Sequence, residues 1–293
     1  MNNSYSYHDL CNELQLMKLP NPYLSYEVIG YSVMGKEIMA LRLGQGKRKI
    51  HYNAAIHANE WITAVLLIKF INDCVRCLEE EDYIWQGVHI HQLLQEITIW
   101  FVPLLNPDGV ELVLDGIGAE HEFKQQLLAW NNNSVDFTGW KANIHGVDLN
   151  DQFPAYWEEE RVRRQQSKPG PMNYSGIAPL SEPEARAIAN FTLKHAFDLV
   201  LSLHTQGEEI YWNYRGFEPE KAEGLADKLA SVSGYCAVYL TDSDAGYKDW
   251  FIQQFRRPGF TIEAGYGINP LPIEQLDQIY EKVSKILLLG LTC

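Results

Sequence analysis

Short apolar runs with strand character recur along this chain: "YEVIGYSV" (26–33), "EIMALRLG" (37–44), "KIHYNAAI" (49–56), "EITIWFVPLL" (96–105), "FDLVLSLH" (197–204), "YCAVYLT" (235–241) and "GFTIEAG" (259–265). The later runs are almost continuous in apolar residues, as in strands covered on both faces of a mainly parallel or mixed sheet. Stretches of helical periodicity alternate with them, at about 60–79, 181–195, 218–233, 246–256 and 272–290. "SEPEARAI" predicts a helix start: Ser181 as the cap, Pro183 in the first turn, and Glu182 and Glu184 against the positive end of the dipole. Residues 106–180 are different. Rich in Asn, Gly, Pro and Trp, they read as long loops with short pieces of structure, the kind of segment that carries function in an α/β domain. No Gly/Ser linker, fixed-period repeat or low-complexity tract divides the chain. The expectation is one α/β domain over residues 1–293.

Composition narrows the function classes. With 46% hydrophobic residues in 293, the chain can bury a large core. Its 24 basic and 38 acidic residues give a net charge of −14, which repels phosphate backbones and anionic lipid. Nucleic acid and membrane surfaces are therefore not expected partners. No run approaches the roughly 20 apolar residues of a membrane span. The polar start "MNNSYSYHDLCNELQ" lacks the basic-then-apolar form of a secretion signal, so a soluble, cytoplasmic protein is expected. Five scattered cysteines argue against a disulfide framework and for a reducing compartment. Cys74 and Cys77 form a CxxC inside a helical pattern with no second pair, so packing is the better reading for them.

Four polar groups stand at the C-terminal ends of the apolar runs: His57 and Glu60 after 49–56, His204 closing 197–204, and Glu263 within "FTIEAGY". Open α/β sheets bind ligands at the carboxyl ends of their strands, so groups far apart in sequence can converge there. A catalytic zinc site takes three protein ligands from His and Glu and keeps one position open. An HxxE pair can grip from a strand-to-helix turn, and a distant His can close the third corner. A carboxylate outside the ligand set can then take a proton from the attacking water and pass it to the leaving nitrogen. Alone, an HxxE recurs by chance and a strand-end His is a rim residue. Glu263 is harder to dismiss, because burying an unpaired carboxylate is costly.

"HANEW", "NPDG" (106–109), "GVDLN" (146–150), "YSGIAPLSEPEA" (174–185), "LSLHTQG" (201–207) and "FTIEAGYG" (260–267) occur in the order found in zinc metallocarboxypeptidases of the carboxypeptidase A type, which this chain resembles over nearly its whole length. The two-His, one-Glu set is the known zinc site of carboxypeptidase A, so that assignment is inherited. The resemblance implies a mixed eight-stranded twisted sheet flanked by helices. It also implies one zinc ion per chain on His57, Glu60 and His204, with Glu263 as general base.

The chain departs from the digestive enzymes at their arginines. Those enzymes hold a peptide's C-terminal carboxylate with one arginine just before the ligand Glu, here Asn59, and another after the Asn of "GVDLN", here Asp151 following Asn150. Neither replacement offers the planar fork that meets a carboxylate, and Asp151 is expected to attract an ammonium instead. The arginine that polarises the scissile carbonyl follows a Trp; here Trp140 precedes Lys141, a point charge that can serve the oxyanion. For the lid tyrosine, Tyr247 is nearest the right segment and Tyr239 competes.

"GVDLN" followed by an acidic residue and "FPA", with "GYKDWF" later, is similar to the γ-D-glutamyl-diamino-acid endopeptidases of sporulating Gram-positive bacteria. The resemblance implies hydrolysis between γ-D-Glu and meso-diaminopimelate (or Lys) in murein stem peptides. The substrate carboxylate then needs a cation. Arg161, Arg163, Arg164 and Arg215 lie in loop-like stretches, and "EEERVRRQQ" reads as a solvated charged segment. Wall-binding repeats and a pro-segment are not seen, which favours soluble muropeptides as substrate. The alternatives are an ordinary metallocarboxypeptidase and a non-catalytic zinc-containing binding protein.

Overall fold

The computed structural model describes residues 5–16, 24–78 and 83–293. Its strands are β1 (Leu24–Tyr31), β2 (Glu37–Gly44), β3 (Arg48–Ala54), β4 (Ile84–Trp85), β5 (Val88–His89), β6 (Ile97–Val102), β7 (Leu199–His204), β8 (Glu209–Tyr211), β9 (Cys236–Val238) and β10 (Gly259–Glu263). Its helices are α1 (Tyr7–Leu16), α2 (Ile62–Arg76), α3 (Ile90–Glu96), α4 (Pro107–Asp115), α5 (Lys124–Trp130), α6 (Trp157–Arg164), α7 (Pro183–His195), α8 (Lys221–Ser233), α9 (Tyr247–Phe255) and α10 (Leu276–Thr292). Eight strands form one sheet in the order β1-β2-β6-β3-β7-β10-β8-β9, and β4 pairs with β5 apart from it. Strands β6, β3, β7 and β10 run parallel, while β2 joins β6 and β8 joins β10 antiparallel. This is the mixed eight-stranded α/β sheet that the resemblance implied.

The period of two along each strand divides the core. Ile50 and Tyr52 of β3, Leu199, Leu201 and Leu203 of β7, and Phe260 and Ile262 of β10 pack with Phe70 of α2, Leu229 of α8 and Ile286 of α10. Val200 of β7 faces the other way, into a second cluster with Ile188 and Phe191 of α7 and Phe251 and Ile252 of α9. Both faces of β7 are covered, so every residue of "LVLSLH" is buried and the run carries no polar stripe. His51 of β3 is also a core residue. Its Nδ1 lies 3.3 Å from the Trp100 carbonyl, its ring stacks on Phe197, and burial pushes it down to about 3.

Several elements differ from the sequence reading. The helix expected over 60–79 is a 3-10 turn at Ala58–Glu60 followed by α2, and residue 79 lies outside the described residues. The strand expected over 235–241 shortens to β9. Helices α4, α5 and α6 occupy the stretch read as loops. Ser181 does not cap α7: its hydroxyl donates to Gln152 and Glu182, and Glu182 holds the cap position without a capping bond. Pro183 does open the helix. Cys74 and Cys77 are buried in the core, and burial pushes both thiols up. Among the described residues, no helix is long and apolar enough to cross a membrane.

Close backbone approach fixes the crossing between β2 and β3. A Cβ at Gly46 would stand 1.8 Å from the Glu96 carbonyl carbon, whereas one at Gly224, inside α8, would meet nothing within 4 Å. Gly46→Ala is therefore expected to destabilise by about 2–3 kcal/mol. Gly224→Ala should stabilise by about 0.5–1 kcal/mol. Equilibrium denaturation in urea measures both.

Candidate active site

Strand order brings the chemistry together. β3, β7 and β10 are neighbours, with Ala54 opposite Leu203 and His204 opposite Glu263 in register. Their carboxyl ends therefore share one edge of the sheet. His57, three residues past β3, has extended backbone, and the 3-10 turn then folds Glu60 back beneath it, with the Glu60 N–H donating to the His57 carbonyl at 3.3 Å. A 3-10 turn eclipses residues three apart, which is why an HxxE spacing can aim both side chains at one point. Thr63 braces the turn by donating to the Glu60 carbonyl at 2.7 Å and accepting from the Ala55 N–H at 2.9 Å. Asn106 caps α4 and also donates to the Ile56 and Ala142 carbonyls, tying the turn to the loop that carries Lys141.

The three candidate ligands converge tightly. Glu60 Oε1 lies 3.0 Å from His57 Nδ1, Glu60 Oε2 lies 3.1 Å from His204 Nδ1, and the two imidazole nitrogens are 3.1 Å apart. All three residues are buried, and they form the metal-capable cluster found among the described residues. His57 donates through Nε2–H to Asp148 Oδ1 at 3.1 Å, which leaves Nδ1 as the ring nitrogen that faces the other two groups. Asp148 also accepts from the Asn150 N–H and lies 3.6 Å from Lys141 Nζ. Burial opposes charge on His57, yet Glu60 and Asp148 together outweigh it and push the ring up to about 9. Burial would likewise raise the Glu60 carboxyl, but the two imidazoles hold it below the ordinary range. The field favours positive charge at the convergence point. A mixed set of two imidazole nitrogens and a carboxylate is the borderline donor chemistry that zinc takes, so these residues fit that ion.

The Glu263 carboxyl, at the end of β10, is half-buried and makes no side-chain hydrogen bond or ion pair with any other described residue. Burial, then the negative charge of Glu60, pushes its carboxyl up to about 8. Lys141 keeps its charge because Asp148, then Glu60 and Asp151, outweigh the cost of its burial. Both groups line a cavity of about 190 Å³ with His57, Glu60 and His204. Asn150 lines it too. Its Oδ1 accepts from the Tyr247 N–H at 3.2 Å, which leaves the amide NH2 for a ligand.

Two expectations are overturned. Asp151 does not offer a bare negative charge. It is buried and clamps Arg164 bidentately, through Nε at 2.8 Å and Nη2 at 2.9 Å, and it is Arg164 that lines the cavity. Tyr247 is no lid. Its ring is wholly buried against Phe153 and Trp250, and its hydroxyl lies 2.8 Å from Thr192 Oγ1. Tyr239 is exposed, edge-on to Trp212, and does not line the cavity; Tyr211, at the end of β8, does. Asn59 is buried, with no hydrogen-bond partner for its Oδ1 among the described residues.

The charged segment also reads differently in three dimensions. Arg161 pairs with Glu158 at the surface and lies over the Trp157 ring. Arg163 and Arg215 converge on Asp244 at 2.6 Å each, and Glu160 takes Arg163 and Arg164. The sequence reading left Asp148 without a role and named Arg164 only as one of four arginines available to the substrate carboxylate, in a segment read as solvated. "GVDLN" pointed to the first through the resemblance, but nothing local pointed to the second.

Residues 10–284 match the family described as zinc carboxypeptidase. The chain is 46% identical over 288 residues to "Gamma-D-glutamyl-L-diamino acid endopeptidase 1" of Lysinibacillus sphaericus, covering 98% of this chain and 72% of that one. It is 26% identical to carboxypeptidase B of Rattus norvegicus, over 92% of this chain and 66% of that one. Among solved structures, bovine thrombin-activatable fibrinolysis inhibitor superposes with a TM-score of 0.72 at 18% identity, covering 99% and 96% of the two chains. The murein-tripeptide amidase MpaA of Escherichia coli O157 gives 0.57 at 19% identity, covering 93% and 94%. The structural likenesses bear on the fold. The sequence match settles the class: this protein belongs to the zinc carboxypeptidase family. It is accordingly a metallopeptidase, a hydrolase of peptide-type bonds.

Asp148 touches no ligand position except through His57, so its test is metal affinity. Asp148→Asn should weaken zinc binding about 10–100-fold. Competition with a chromophoric chelator measures this, with circular dichroism confirming an unchanged fold.

Proposed function

We propose that this protein, as one catalytic domain over residues 1–293, hydrolyses the bond between γ-D-glutamate and meso-diaminopimelate (or lysine) in bacterial cell-wall stem peptides. The observation that carries the reading is the 46% identity, over 98% of the chain, to a protein named as a γ-D-glutamyl-L-diamino acid endopeptidase. The site supports it: the metal ligands and the unpartnered carboxylate stand together, while the arginine positions of the digestive enzymes hold Asn59 and Asp151.

His57, Glu60 and His204 would hold one zinc ion, which supplies Lewis acidity to the water and the scissile carbonyl. Glu263 takes a proton from the attacking water as its oxygen bonds to the carbonyl carbon. The same carboxyl then delivers that proton to the diamino-acid nitrogen as the C–N bond breaks. Lys141, held by Asp148, offers positive charge to the carbonyl oxygen as it gains negative charge. Arg164 and Asn150 supply donors for a substrate carboxylate, and a γ-linked D-glutamyl residue carries a free one at its α-carbon. Five free cysteines, two of them buried, suit a reducing compartment, so we place the protein in the cytoplasm acting on soluble muropeptides.

Incubation with L-Ala-γ-D-Glu-meso-diaminopimelate and with a blocked dipeptide ending in Phe, read by mass spectrometry, should show faster cleavage of the former. Faster release of Phe would overturn the reading in favour of carboxypeptidase action. Glu263→Gln should lower kcat by about 10²–10⁴-fold. An unchanged rate would remove Glu263 from the chemistry. A strong chelator should abolish turnover, and added zinc should restore it.

A further inference from the structure

The turns that follow β7 and β10 are laced together beside the metal ligands. The Ala264 N–H donates to the His204 carbonyl and the Gly207 N–H to the Gly265 carbonyl, each at 2.8 Å. The segment 265–271 then folds tightly around Leu271, which is buried in the core. Gly265 and Gly267 take positive φ there, and a Cβ at each would stand 2.9 Å and 3.0 Å from the Leu271 side chain. That fold leaves Ile268 88% exposed and faces the Asn269 amide toward Thr205. Asn269 Oδ1 accepts from Thr205 Oγ1 at 2.8 Å, and its Nδ2 donates to the Thr205 carbonyl at 3.0 Å. Among the described residues, this amide makes no other hydrogen bond. Thr205, next after the candidate ligand His204, is buried, and its N–H donates to Glu60 Oε2 at 3.3 Å.

Resting on the zinc ligand set proposed above, we propose that Asn269 is a positioning residue for the metal centre: acting through Thr205 on Glu60, it raises the affinity of the site for zinc. A ligand carboxylate holds an ion best when hydrogen bonds have already fixed its direction. Glu60 Oε1 faces His57 and Oε2 faces His204, so a small rotation of the carboxyl spoils both contacts. The Thr205 N–H opposes that rotation from the backbone. It carries no net charge, so it orients the carboxylate without cancelling the negative charge that the ion requires. Its own direction depends on Thr205, which one amide 64 residues away grips at both hydroxyl and carbonyl. A grip at two points limits the side-chain and backbone rotation of Thr205 together.

The test measures zinc affinity of the full chain by competition with a chromophoric chelator, with circular dichroism to confirm folding. Asn269→Ala should weaken zinc binding about 10-fold, the lower end of the range for groups that orient a metal ligand. Thr205→Val, which keeps the shape and loses the hydroxyl, should show a smaller loss, and Thr205→Ser should stay near wild type. Because the two residues act as one unit, the double variant Asn269→Ala/Thr205→Val should lose less than the product of the single losses. Ile268→Ala, on the outer face of the same segment, should leave the affinity unchanged. A mere staple for the segment 265–271 would lower the melting temperature of the metal-free protein and leave zinc affinity at the wild-type value, which would overturn the proposal. Single losses that simply multiply would overturn the route through Thr205. If Asn269→Ala does not fold, Thr205→Val against Thr205→Ser decides by the same readout. Wild type that binds no zinc overturns the ligand set itself, a result distinct from unchanged variants of a zinc-binding protein.

Discussion

The open edge of the sheet is governed by one constraint: His57, Glu60 and His204 must point at one another where little water reaches them. Two imidazole nitrogens 3.1 Å apart, both within about that distance of a carboxylate, form a cluster that a positive charge, a proton or a metal ion, holds together. Every nearby feature serves that convergence. The 3-10 turn eclipses His57 and Glu60, Thr63 and Asn106 brace the turn, and Asp148 fixes the His57 ring by taking its Nε2–H. Register between β7 and β10 then sets Glu263 beside His204 without spending it on the metal ligands.

Around that centre, charges are arranged in pairs that pass on orientation. Asp148 links the His57 ring to Lys141. Asp151 replaces an arginine of the related enzymes, yet the cavity does not change sign as the replacement alone suggests. The carboxylate is consumed in clamping Arg164, and that arginine, from another helix, takes the place at the cavity wall. Arg163 and Arg215 on Asp244, with Glu160 between Arg163 and Arg164, hold α6 where Arg164 can reach. A bidentate pair suits this task, since it fixes direction as well as distance.

Legibility varied with how local the cause was. The strands β2, β3, β6, β7 and β10 and the helices α2, α7, α8, α9 and α10 were readable because apolar period and turn residues are local signals. His57, Glu60, His204 and Glu263 stood out as candidates because they lie at or just beyond the ends of apolar runs, and the family resemblance implied their roles. The helices inside 106–180 escaped because α5 and α6 are short and polar on most sides, and α4 announces itself only through the Asn106 cap. Tyr247 was misplaced for a related reason. Its segment was recognised, but which way a residue in the first turn of α9 faces depends on how the helix rolls against β7 and β10.

The sequence by itself determined the strands of the sheet and the candidate ligands and carboxylate at their ends, through periodicity and through motifs shared with a known family. Tertiary structure alone decided which charges are spent and which remain available. Asp151 in the chain is an anion, and in the folded protein it is the holder of an arginine 13 residues away. Lys248 and Asp249 are adjacent polar letters in the sequence, and only the docking of α9 buries them together in the cavity wall. Charge acts through space and its effect depends on burial, so neither the sign nor the strength of a site can be read from residue order alone.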